Sequence, residues 1–150
     1  MIRVQTEDFD LNAEVAALSN PDQQSGAVVA FVGLVRDFTG GNDPAATMTL
    51  EHYPGMTENQ LADIEHDART RWDLHDVTII HRVGTLSAGE QIVLVLAGSR
   101  HRQNAFDAAN FIMDILKTKA TFWKKESAGD HAQWVDARDS DQSAADRWGN

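Results

Sequence analysis

Cysteine is absent from the 150-residue sequence, which excludes a disulfide framework, a thiolate metal site, and any persulfide or thioester carried on this chain. Cations are scarce: 13 Lys and Arg stand against 23 Asp and Glu, for a formal net charge of -10 and a pI of about 4.8. Such a chain repels phosphate backbones and anionic lipid, so nucleic acid and membrane surfaces are not expected partners. An anionic ligand needs a local basic pocket. No apolar run reaches the length that crosses a bilayer and the first eight residues hold no apolar signal core, so a cytoplasmic protein is expected. A P-loop, a dinucleotide fingerprint and a Gly-x-Ser-x-Gly elbow are all missing. The six histidines form no i,i+4 pair, so neither a metal nor a cofactor is expected.

Lysine is confined to one stretch. Lys117, Lys119, Lys124 and Lys125 lie within Leu116–Glu126, and every other cation is an arginine. Two readings fit that spacing. An ammonium whose pKa moves on burial suits proton transfer or nucleophilic attack. A helix C-terminus running into an exposed turn also attracts cations, because they complement the negative end of its dipole. Phe122 and Trp123 beside these lysines suit stacking on a flat heteroaromatic ring, and suit a core equally well.

Hydrophobic residues make up 42% of the sequence, enough for one well-cored domain over residues 1–150 with a short polar tail from about 140. Ile2–Gln5 alternates as a strand, and Asp10 caps a helix over Leu11–Leu18 that stops before Pro21. The valine-rich run Gly26–Arg36 is a buried strand that ends in a charge. Asp37–Ala46 carries turn residues without hydrophobic periodicity and reads as an exposed, mobile loop, a candidate lid. Thr47–Tyr53 alternates as a second strand, hairpin-like with the first. Thr57 with Gln60 reads as a capping box for a helix whose apolar face is Leu61, Ile64, Ala68 and Trp72, with Glu65 and Arg69 as an i,i+4 pair. Val77–Val83 and Gln91–Ala97 are strands, the latter apolar enough to be central. Arg102–Lys117 is a long helix packed across the sheet. Gln133–Ala137 is a further strand, and Asp139 with Gln142 opens a short helix ending near Trp148. There is no internal repeat. The order of elements predicts an α+β fold, a mixed or antiparallel sheet packed by helices.

Ser99-Arg100-His101-Arg102 stands where the strongest strand meets the longest helix, with Ser99 as the cap. Cations at a helix N-terminus oppose its dipole, an arrangement that makes sense where backbone N–H groups and guanidinium forks bind a phosphate or carboxylate. The same side chains also have many carboxylates to pair with in this acidic chain. Arg102 and Lys117 lie about 22 Å apart along one helix, too far for one small ligand. An antiparallel homodimer would bring His101 and Arg102 of one subunit toward Lys117 of the other.

Five segments, taken together and in order, resemble the large, catalytic subunit of molybdopterin synthase. They are Phe31–Arg36, Leu50–Met56, Ile80–Gly84, Ser99–Arg102, and Phe111–Lys119 continuing to Phe122-Trp123-Lys124. The resemblance implies an α/β hammerhead-type α+β fold. It implies a homodimer of large subunits at the core of a heterotetramer, with a small ubiquitin-like sulfur carrier at each end. The carrier's C-terminal Gly-Gly thiocarboxylate would supply two sulfurs to cyclic pyranopterin monophosphate, forming the dithiolene of molybdopterin, so the missing cysteine has a reason: sulfur arrives on the partner. By the same resemblance Lys117 and Lys124 are catalytic. Arg36, with His101 and Arg102 across the dimer, binds the substrate anion, and Phe31 and Met113 line the pocket. The family often has lysine where this chain has Leu34, and proline where it has Thr121. The alternative is a noncatalytic dimeric module that binds a phosphorylated heterocycle.

Overall fold

The computed structural model describes residues 1–18, 23–136 and 138–149. The elements are β1 (Ile2–Gln5), α1 (Leu11–Ala16), β2 (Ala27–Leu34), β3 (Thr47–His52), α2 (Met56–Arg71) and β4 (Asp76–Arg82). They continue with β5 (Gly84–Ser87), β6 (Gln91–Ser99), α3 (Arg102–Lys119), β7 (Phe122–Ala128), β8 (His131–Val135) and α4 (Asp139–Asp146). The architecture is mixed α+β, as the sequence predicts, but it has two sheets.

The first sheet has the order β1-β4-β6-β2, with β1 parallel to β4 and the other pairs antiparallel. β4 and β6 take its interior because their runs are apolar on both faces, which an interior strand between two packed layers needs. Ile79 and Val95 face Leu61 and Ile64 of α2 and Ile112 of α3. Ile80, Leu94 and Leu96 turn the other way, onto Phe9. β6 is central, as expected.

The second sheet, β5-β3-β7-β8, is antiparallel throughout. The chain passes from one sheet to the other at Val83 and Gly84, where φ is +91° at the glycine, a conformation that side chains with a Cβ resist. Val35, Leu50, Val83 and Leu86 form an apolar seam there, with Phe122 packed against it. β2 and β3 therefore belong to different sheets, and the hairpin-like pairing expected of them does not form. Each pairs elsewhere: β2 on β6 and β3 on β5 and β7.

Several boundaries move. The Asp10 carboxylate accepts from Ala13 N as a cap, but α1 ends at Ala16, and Pro21, the expected stop, lies outside the described residues. Thr57 and Gln60 do not form a capping box. Gly55 is the residue before α2, its φ of +86° suits only glycine, and the Glu58 carboxylate accepts from its N–H. Ser99 does not cap α3 either. It is the last residue of β6, fully buried, and its hydroxyl donates to Asp73 O at 2.7 Å, while His101 precedes the helix. Gln133–Ala137 becomes β8 at His131–Val135, and Ala137 lies outside the described residues. Among the described residues no helix is long and apolar enough to cross a membrane.

Candidate functional site

The lysine stretch straddles two elements. Lys117 and Lys119 close α3, and Lys124 and Lys125 lie in β7, a strand where the sequence predicts only a turn. β7 pairs with β3 (Leu50 opposite Lys124, His52 opposite Phe122) and with β8 (Lys124 opposite Val135). Alternation along the strand puts Lys124 on the face of Phe122, which packs against the inter-sheet seam. Lys125 is on the other face, its ammonium 5.8 Å from the centre of the Trp134 ring. Trp123 shares that outer face and is exposed.

Lys124 is half-buried. Burial lowers its pKa below the ordinary lysine value, and the nearby Lys117 ammonium lowers it further; Asp141 and Glu126 pull it back, against a smaller push from Arg138. Lys117 is 49% exposed and pairs with Asp141 of α4, Nζ to Oδ1, at 3.6 Å. The pair thus combines an exposed lysine with one whose pKa is lowered by its surroundings, a division that suits electrostatic activation by one and proton transfer by the other.

α3 packs on β6 and β2. β6 spans roughly 30 Å and α3 about 27 Å, so the helix returns from the Ser99 end of β6 to its Gln91 end. Leu34 is opposite Gln91, and Val35 N donates to Glu90 O at 2.8 Å, so exposed Arg36 lies at the same end of the sheet as Lys117. Phe31, further back on edge strand β2, is 41% exposed. Met113 is buried in the main core on α3. His101 and Arg102 are exposed at the opposite end of α3. Within one chain they do not meet the lysines, the separation that helix length predicts. Arg100 donates to the Gln24 side chain at 2.7 Å, and Gly26 lies so close to the Arg100 carbonyl that a Cβ there would sit 2.4 Å from its oxygen.

Three groups at this site escape a reading of the sequence. His81 is buried beneath β7, its ring stacked on Phe122 at 3.9 Å and 20°, with Nδ1 2.8 Å from Arg82 O. Asp141 approaches from α4, whose sequence shows a helix start but no sign of a site. Thr57 and Gln60 of α2 reach across to Thr121, between the two lysines: Thr57 Oγ1 donates to Thr121 O at 2.9 Å and Gln60 Oε1 accepts from Thr121 N at 2.8 Å. The Thr57–Gln60 spacing is visible in the sequence, but its partner is 61 residues away from Gln60. Among the described residues no group of three His, Asp or Glu side chains is arranged to hold a metal ion.

A model of the MoaE protein family matches residues 4–119, ending just short of Lys124. The chain is 55% identical over 148 residues to a molybdopterin synthase catalytic subunit of Ralstonia nicotianae, covering 99% of this chain and 84% of that protein. It is 53% identical over 147 residues to the subunit of the same description from Pseudomonas aeruginosa, covering 98% and 97%. The fold is similar to that of the molybdopterin biosynthesis MoaE protein from Burkholderia ambifaria, with a TM-score of 0.82, 52% identity, and 99% and 97% of the two chains covered. It is also similar to a crystal structure of molybdopterin synthase from Staphylococcus aureus, with a TM-score of 0.80, 29% identity, and 89% and 95% covered.

Proposed function

Because the chain belongs to the MoaE family of molybdopterin synthase catalytic subunits, we propose that its lysine pair carries out the sulfur transfer that builds the dithiolene of molybdopterin. The substrate is cyclic pyranopterin monophosphate, and sulfur arrives as the C-terminal Gly-Gly thiocarboxylate of a small ubiquitin-like carrier. Two carriers dock on a homodimer of this chain, a single domain acting in the cytoplasm. The observation that carries this reading is the placement of Lys124, half-buried, with its pKa lowered by burial and by the Lys117 ammonium.

In this reading the exposed Lys117 ammonium lies against the thiocarboxylate and polarises its carbonyl. The thiocarboxylate sulfur bonds to a side-chain carbon of the pterin as a carbon–oxygen bond there breaks, the oxygen leaving as water or on the phosphate. Water then attacks the acyl carbon and cleaves the acyl–sulfur bond, so that the carrier departs as a carboxylate and the sulfur stays on the pterin as a thiolate. Lys124, held toward its neutral form, takes the proton from the attacking water. Arg36 binds the substrate anion at the lysine end of the sheet. His101 and Arg102 come from the second subunit, because their own lysines are a helix length away. Phe31 and Met113 line the pterin pocket.

A reconstituted assay with thiocarboxylated carrier and pyranopterin monophosphate, read by mass spectrometry of the product, tests the assignment. Lys117→Ala is expected to lower dithiolene formation by at least about a hundredfold while the protein stays folded. Near-normal turnover of a folded Lys117→Ala protein would remove Lys117 from the mechanism.

A further inference from the structure

Thr121 is the hinge between the helix that carries Lys117 and the strand that carries Lys124, and α2 holds both sides of its backbone. Its carbonyl accepts from the Thr57 hydroxyl at 2.9 Å, and its N–H donates to Gln60 Oε1 at 2.8 Å. The Thr57 hydroxyl also accepts from Tyr53 N at 3.0 Å, immediately after β3 ends. One fully buried hydroxyl therefore ties the end of β3 to the start of β7. This matters because β7 is paired with β3 in a register that puts Leu50 opposite Lys124. A slip of one residue would turn every side chain of β7 to the other face, placing Lys125 inside and Lys124 beside Trp134.

We propose that Thr57 and Gln60 are positioning residues: by clamping Thr121 they set the register of β7, so that Lys124 rather than Lys125 stands beside Lys117. The catalytic part of this inference rests on the function proposed above, but the clamp itself does not. The Gln60 half of it depends on a residue with a backbone N–H at position 121. Proline, which the resemblance places there in many relatives, cannot donate that bond, so Gln60 and Thr121 act as a pair in this chain.

The test compares Gln60→Ala and Thr57→Val, each alone and with Thr121→Pro, in the intact protein. Brief competitive acetylation across a pH series, resolved by fragment mass spectrometry, gives separate titrations of Lys124 and Lys125. In the unaltered protein Lys124 should titrate below the ordinary lysine value. Either α2 substitution should narrow that gap and lower kcat about tenfold with little change in KM, the signature of a displaced group rather than of weakened binding. With Thr121→Pro present, Gln60→Ala should add nothing to either readout, while Thr57→Val keeps its effect because the carbonyl at position 121 remains. Thr57 is buried and its replacement can unfold the protein; Gln60 is only half-buried, so Gln60→Ala, with its melting temperature as a control, carries the test alone if needed. Unchanged lysine titrations in folded Gln60→Ala protein, or an equal effect of Gln60→Ala with and without Thr121→Pro, would overturn the clamp. A narrowed gap with unchanged kcat would support the clamp and count instead against a catalytic Lys124.

Discussion

At the scale of single residues, His81 shows how firmly the floor of the site is built. Burial is the main reason its pKa falls to about 4 from an ordinary value of 6.5; its contact with the Arg82 carbonyl raises it somewhat, and the charges of Lys124 and His52 lower it. A base depressed in this way leaves the unfolded chain with more bound protons than the folded one between those two values. Its contribution to stability is complete above pH 6.5 and is lost as pH falls toward 4. At pH 5 the loss from this one residue amounts to about 2 kcal/mol. Urea denaturation at pH 7.5 and pH 5 should therefore show a larger drop for the unaltered protein than for His81→Gln, by about that amount. Equal drops would mean that the ring is protonated in the fold. Lys124 follows the same sign at higher pH, since its folded-state pKa is also depressed.

At the scale of elements, the end of α4 is latched to α3 through Asp114, beside the Lys117–Asp141 ion pair. Asp114 Oδ2 accepts from Trp148 Nε1 and from Arg147 Nη2, each at 2.6 Å. The Trp148 ring meets Trp72 and Phe111 edge-on, with centroids 5.7 and 5.5 Å away. Asp114 and Lys117 are three residues apart, on neighbouring turns of α3, so the fastening also places Asp141 over Lys117. Trp148→Ala should cost about 2 kcal/mol in thermal or urea unfolding, less than a fully buried tryptophan because this one is half-buried. It should also move the Lys124 titration to lower pH as the Asp141 carboxylate leaves; an unmoved titration would show that Asp141 does not need the latch.

Elements differ in how plainly their sequences announce them. α2 and α3 carry apolar stripes at helical spacing, and β4 and β6 are β-branched runs with both faces buried, so periodicity alone finds them. β7 is hidden because Phe122-Trp123-Lys124-Lys125-Glu126 places charges on both faces of the strand, one lysine toward the seam and one toward an exposed tryptophan. β5 is four residues long and begins at the glycine that changes sheets. Spacing shows Thr57 and Gln60 as a pair but not what they hold, because a cap and a tertiary clamp use the same donors and acceptors. The lysines themselves stand out because every lysine of the chain lies within Leu116–Glu126.

For the molecule as a whole, the length of α3 argues for two copies. If one site takes its lysines from one subunit and His101 and Arg102 from the other, then Lys117→Ala and Arg102→Ala proteins, each inactive, should complement when coexpressed. Random pairing makes half the dimers mixed, each with one intact site of two, so activity should return to about a quarter of normal. No recovery would place each site within one chain. The same geometry explains why part of the site is legible from the sequence and part is not: the lysines are near neighbours along the chain, whereas the residues proposed to face them belong to another copy.

The parallel pairing of β1 with β4 has a consequence for how the chain reaches this state. Ile2 lies opposite Ile79, so β1 has no partner until β4 has followed it, well over a third of this chain later. Closing a loop of that size costs roughly 4 kcal/mol of chain entropy, whereas β4 and β6 are nearly adjacent in sequence and their pairing closes early. Until β1 docks, the outer edge of β4 presents unpaired backbone groups beside one of the most apolar strands in the protein, a ready template for another unfinished chain. Refolding yield should therefore fall with protein concentration more steeply than native stability alone would suggest.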